Sequence, residues 1–117
     1  MDAPKIKTAL PQRRYQLGEF TAVILGDIES ADGIGYRYIL AMVREGDASP
    51  CLYVTLEKNR RSEAAQGSHR MRMVAHNYNE VLGSSDRWSD LEIFVREALT
   101  LSSKVLQLGD EQPVRLM

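Results

Sequence analysis

The chain has 117 residues, a formal net charge of −1, 44% hydrophobic and 26% charged residues. That length fits one domain with a core of its own, and the composition is that of a folded globular protein. Near-neutral charge argues against a general nucleic-acid or membrane-surface binder, both of which need a basic field, and a single cysteine, Cys51, excludes an intrachain disulfide.

Residues 1–12 combine Pro4, Pro11 and two lysines without periodicity and read as a mobile tail. They hold no apolar core of signal-peptide length, and no apolar run in the chain is long enough to span a membrane, so the expected address is the cytoplasm. From Arg13 the pattern alternates and predicts a strand, with Gly18 marking a bend. Residues 19–28 predict a second strand, with Phe20, Ala22 and Ile24 on one face and Thr21, Val23 and Leu25 on the other.

Asp32-Gly33 then supplies hairpin turn chemistry. Residues 36–43 follow, ending in six consecutive apolar residues from Tyr38 to Val43. Six is too few for a typical helix, and flanking glycines mark a buried strand. Leu52, Val54 and Leu56 alternate with Tyr53, Thr55 and Glu57 in a half-buried strand ending at Lys58. After a polar connection over 59–68, residues 69–76 alternate again, with arginines suited to a sheet edge. Residues 77–87 read as a turn-rich crossing.

Ser89-Asp90-Leu91-Glu92 fits a capping box with Ser89 as N-cap, and Trp88 with Ile93 fits a hydrophobic staple. The stripe Leu91, Phe94, Val95, Ala98, Leu99, Ser102 and Val105 predicts an amphipathic helix that stops at Gly109. The expected fold class is therefore α+β: a four- to five-stranded antiparallel meander with one long C-terminal helix packed on one face. The expected organisation is a tail over 1–12, one domain over 13–109 and a C-terminal tail over 110–117. No family motif is present. The strand-then-helix order superficially resembles secretion-chaperone-like and double-stranded-RNA-binding domains. The latter usually open with a helix and carry lysines where this chain has Ser89-Asp90-Leu91-Glu92.

Chemistry-bearing groups are sparse. Cys51 with His69 or His76 could form a nucleophile pair, but a thiol needs a positioned base and its surroundings match no such signature. The two histidines lie seven apart and point to opposite faces of a strand, and no third ligand has metal-type spacing. The acidic pairs Asp27/Glu29 and Asp110/Glu111 fall in expected turns or tails. Gly33-Ile34-Gly35 leads into a strand rather than a helix, so it is no phosphate loop. No catalytic residue, metal or cofactor is assigned.

Two surfaces stand out. The central strands are apolar on both sides, and one helix can cover one face. With Phe20, Ile24, Leu40 and Met42 under the helix, Val23, Leu25, Ile39, Ala41 and Val43 need another cover; the reverse assignment exchanges the lists. The expected function is a non-catalytic protein-interaction module that self-associates through this apolar sheet face as a homodimer, its partner being itself or an unknown protein. The alternative is a small-molecule or nucleic-acid binding domain using Arg60, Arg61, Arg70 and Arg72 with Tyr53, since arginine forks phosphate and tyrosine stacks on bases. Against it, Arg70 and Arg72 share a face with Glu57 and can pair with it.

Overall fold

A computed structural model describes residues 2–60 and 65–117 of the chain. Seven strands form one antiparallel sheet: β1 (Ile6–Leu17), β2 (Phe20–Ser30), β3 (Tyr36–Arg44), β4 (Leu52–Lys58), β5 (His69–Ala75), β6 (Tyr78–Ser85) and β7 (Val114–Arg115). The spatial order is β6-β5-β4-β3-β2-β1-β7, so β1 to β6 make an unbroken meander and β7 returns to the β1 edge. One helix, α1 (Leu91–Val105), follows a short 3₁₀ turn at Arg87–Ser89. The architecture is α+β, with seven strands rather than four or five and a helix of 15 residues rather than a long one. Among the described residues no helix is long and apolar enough to cross a membrane.

Three strand regions beyond the expected ones have the composition that sheet edges tolerate. β1 begins at Ile6, well inside the segment expected as a tail, and its pairing with β2 slips on either side of Pro11. Proline and lysine both suit an edge strand, because neither the missing N–H nor the charge disturbs an inner ladder. β6 occupies most of the expected crossing at 77–87. Its residues Tyr78 to Leu82 are exposed on both faces, so no apolar–polar alternation announces it. Leu82 is an extra residue against β5, a bulge that leaves Val81 across from Arg72. β7 draws Val114 and Arg115 from the expected C-terminal tail and pairs them with Gln16 and Tyr15.

α1 lies across β3 and β4 and buries the face carrying Phe20, Ala22, Ile24, Leu40, Met42, Val54 and Leu56. Its own contribution is Phe94, Val95, Ala98 and Leu99, and the Phe94 ring meets Tyr38 with centroids 5.5 Å apart. A side-chain pair between Arg13 and Glu92 ties the first helical turn to β1.

Both helix ends differ from the expected caps. The N-cap is Asp90, whose carboxylate accepts from the Ile93 amide at 3.2 Å. Ser89 belongs to the 3₁₀ turn and donates its hydroxyl to the Asp86 carbonyl, so it cannot also open the helix. With the cap one residue later, Glu92 no longer stands at the reciprocal position, and it pairs with Arg13 instead. At the other end the C-cap is Leu106, and Gln107 directly after it takes the left-handed conformation (φ 55°), two residues before Gly109, which is left-handed as well (φ 61°). The Leu108 amide reaches Ser103 O at 3.0 Å and the Gln107 amide reaches Lys104 O at 3.3 Å, the two bonds of a Schellman motif.

Gly67 closes the β4–β5 connection. A Cβ there would stand 2.5 Å from the Ser85 amide nitrogen, and its φ of 139° is foreign to residues with side chains.

These caps predict two stability changes of opposite sign. Asp90→Ala should lower stability by about 1 kcal/mol through loss of the N-cap. Gln107→Gly should raise it by roughly 0.5–1 kcal/mol, because glycine enters the left-handed region without penalty but loses more chain entropy. Urea denaturation followed by circular dichroism measures both. An unchanged midpoint for Asp90→Ala together with a loss for Ser89→Ala would return the cap to Ser89.

Candidate functional site: the face without the helix

The pleat places Val23, Leu25, Ile39, Ala41 and Val43 on the face opposite α1. Sheet register arranges them in rows: Val23–Ala41–Tyr53–Val74 and Leu25–Ile39–Thr55–Arg72, with Val43 beside Thr21. Their burial is unequal. Ile39 and Val74 are fully enclosed at 0% and 2% exposure and Ala41 nearly so at 7%. Val23, Leu25, Val43 and Tyr53 stay half-buried around them. Two of the five residues singled out from the sequence are thus covered within one chain, and three keep surface to offer. Val81 extends the second row past Arg72 and is 46% exposed. Burial pushes the Tyr53 phenol above its ordinary pKa.

At one end of this face the rows give way to a charged cluster. Glu57 lies between Tyr36 on β3 and Arg70 on β5, and its side chain is 1% exposed. Arg70 Nε donates to Oε1 at 2.9 Å, Arg72 Nε to Oε2 at 2.8 Å, and the Thr55 hydroxyl to Oε2 at 2.9 Å. Arg72 also donates from Nη1 to Asn79 Oδ1 at 2.7 Å. A buried carboxylate is tolerable only when paired and hydrogen-bonded, and here two guanidinium groups meet that demand. The arginines expected as an anion-binding edge are therefore engaged inside the sheet face. Arg60 is exposed, and Arg61 lies outside the described residues.

Residues 2–5 border this cluster from above. The Ala31 amide donates to Lys5 O at 2.8 Å and the Lys5 amide to Asp32 Oδ2 at 3.2 Å. Farther along, Asn79 donates to Asp2 Oδ2 at 3.2 Å, linking the N-terminal segment to β6 at the far edge. A cleft of about 260 Å³ lies between this segment and the sheet, with Tyr36, Thr55, Glu57, Arg72 and Val74 in its lining. Asp32 also accepts from the Tyr36 hydroxyl at 2.8 Å and the Ile34 amide at 3.1 Å. Burial works to raise the Asp32 carboxyl, but these hydrogen bonds outweigh it and hold the group below its ordinary value. Burial first, and then the bond to Asp32, push the Tyr36 phenol well up, so it serves as a donor.

The other candidates stand apart. Cys51 is half-buried with its thiol 3.5 Å from Met42 O, and burial raises its pKa, the reverse of an activated nucleophile. His69 opens β5, whereas His76 sits in the turn after it, exposed. Glu29 faces Lys7 at 4.0 Å, Asp27 is exposed at a left-handed bulge (φ 47°), and Asp110 and Glu111 are exposed past the helix. Among the described residues no three His, Cys, Asp or Glu side chains gather as a metal site.

No protein-family model matches the chain, and no match was found among curated proteins or solved structures.

The Glu57 cluster predicts a measurable dependence. Glu57→Gln should lower stability by about 3 kcal/mol, the usual scale for breaking a buried ion pair and leaving partners uncompensated. The arginines reach water in part, at 22% and 28% side-chain exposure, so a loss toward the lower end is expected. Denaturant midpoints for Glu57→Gln and for Arg72→Gln check this. A loss below roughly 0.5 kcal/mol in both would mean that the cluster is decorative.

Proposed function

We propose that the chain is a non-catalytic protein-interaction module that self-associates through the face opposite α1. The observation that carries this reading is the half-exposed rim of Val23, Leu25, Val43 and Tyr53 around the enclosed Ile39 and Ala41. Strands with one solvated face normally place polar side chains on it, whereas β2 and β3 place Val23, Leu25, Ile39, Ala41 and Val43 there. Each large side chain left partly in water forgoes a share of roughly 1.5–3 kcal/mol available on full burial. A two-fold contact recovers that share on both copies with one patch. Because the patch is small and its centre is already covered, the dimer is expected to be weak and concentration-dependent.

The pairing of Arg70 and Arg72 with Glu57 removes charge from the competing reading, an anion-binding surface on that edge. The same burial pattern decides which substitution tests the interface. Ile39 is enclosed within a single chain, so a charge there would damage the fold whether or not a dimer forms. Val23 is half-exposed, so Val23→Lys should leave the fold intact and place like charges opposite each other across the two-fold contact. Sedimentation velocity should show the native chain shifting from monomer to dimer between micromolar and millimolar concentration, with Val23→Lys monomeric throughout. A native chain that is monomeric at every concentration, or a variant that dimerises equally well, would remove this face from the interaction.

A further inference from the structure

At the same strand ends as the Glu57 cluster, but on the opposite face, the sheet carries charge that no ion pair among the described residues neutralises. Where β3 begins, β4 ends and β5 begins, Gly35, Tyr36, Arg37, Lys58 and His69 line a cleft of about 200 Å³. Backbone pairing sets the geometry. Lys58 stands directly across from His69, and the Lys58 amide donates to Gly35 O at 2.8 Å. By pleat alternation Lys58 continues the row of Leu52, Val54 and Leu56, on the face opposite the Glu57 cluster. Arg37 sits at the irregularity between Tyr36 and Tyr38, and its guanidinium lies over the Tyr38 ring at 4.7 Å from the centroid. An aromatic face, not a carboxylate, thus positions the arginine. Among the described residues neither Arg37 nor Lys58 makes an ion pair.

We propose that Arg37, Lys58 and His69 form a binding site for a phosphate-type oxyanion, of the kind carried as a terminal phosphate. Arginine offers a planar fork of donors, lysine a compact point charge, and three acceptor oxygens match them. His69 Nδ1 is 2.8 Å from Ser68 Oγ. With the serine hydroxyl donating to Nδ1, Nε2 carries the proton and is the third donor. The lining holds no carboxylate, which excludes a cation as the natural occupant.

The charged groups that act on His69 support the convergence. Burial lowers its pKa first, and the positive charges of Arg37 from β3 and Lys58 from β4 lower it further. Asp86, in the connection before α1, opposes them, but its carboxylate already accepts from the Ser68 amide at 2.6 Å. A bound dianion reverses the balance, because it favours the imidazolium and raises the His69 titration midpoint.

The test is a pH titration of the His69 ring signals by NMR in inorganic phosphate and in chloride of equal ionic strength. The expected result is a midpoint higher in phosphate by about one pH unit, as for an opposite charge a few ångströms away. Arg37→Gln and Lys58→Gln should each weaken phosphate binding roughly tenfold, the scale of one charge-assisted hydrogen bond. Both side chains are exposed, and amide shifts away from the cleft report that the variants keep the fold. A dinucleotide with and without a 5′-phosphate distinguishes the sources. A response to the phosphorylated form assigns the site to a nucleotide's terminal phosphate, and a response to inorganic phosphate alone assigns it to the free anion. Equal midpoints in phosphate and chloride overturn the proposal. So does an undiminished response in both variants, and an equal response to the unphosphorylated dinucleotide overturns the terminal-phosphate assignment.

Discussion

One geometric constraint governs this molecule: a single helix of 15 residues is the main cover for a seven-stranded sheet. At 1.5 Å per residue α1 spans about 22 Å, against a sheet about 29 Å across at 4.8 Å per strand. It seals the centre of one face around Phe94 and leaves the opposite face to other means. Three devices meet that need in different places. The N-terminal segment reaches from Asp32 to Asn79, Glu57 turns two arginines inward, and Ile39 with Ala41 is ringed by half-buried neighbours. The rim of half-exposed residues is what these devices leave over.

The Glu57 cluster also explains how positive charge is partitioned. Arg70 and Arg72 project to the face that must stay compact without a helix, and a buried carboxylate binds them there. Arg37 and Lys58 lie at the strand ends, where an irregularity in β3 turns the arginine onto an aromatic ring. The sheet pleat, with period two, thus separates neutralised from available charge among residues that lie close together in sequence. A count of basic residues along the chain merges the two groups, although their electrostatic situations are opposite.

Legibility followed the same logic. The strands β2 to β5 could be read because apolar residues alternate or run together there, and burial on at least one face demands such a pattern. The association of Arg70 and Arg72 with Glu57 could be read from strand parity alone. β6 could not, because Asn79, Glu80 and Gly83-Ser84-Ser85 suit a turn as well as an edge strand exposed on both sides. The first half of β1 was hidden by Pro11 and its lysines, which edges accept. Cap positions were misplaced because Ser89 and Asp90 are both good caps, and a 3₁₀ turn that engages one of them leaves no sequence trace. The Arg37 cleft depends on a local slip between two strands, a tertiary detail absent from periodicity.

The central claim is that the rim residues contact a second copy of the chain. Isotope-filtered NOE spectroscopy on a mixture of labelled and unlabelled protein tests it at the atoms concerned. The account predicts intermolecular NOEs at the methyl groups of Val23, Leu25 and Val43 and at the Tyr53 ring. Rim methyls that show contacts within their own chain alone, while a dissolved nitroxide broadens them at millimolar protein, would contradict it.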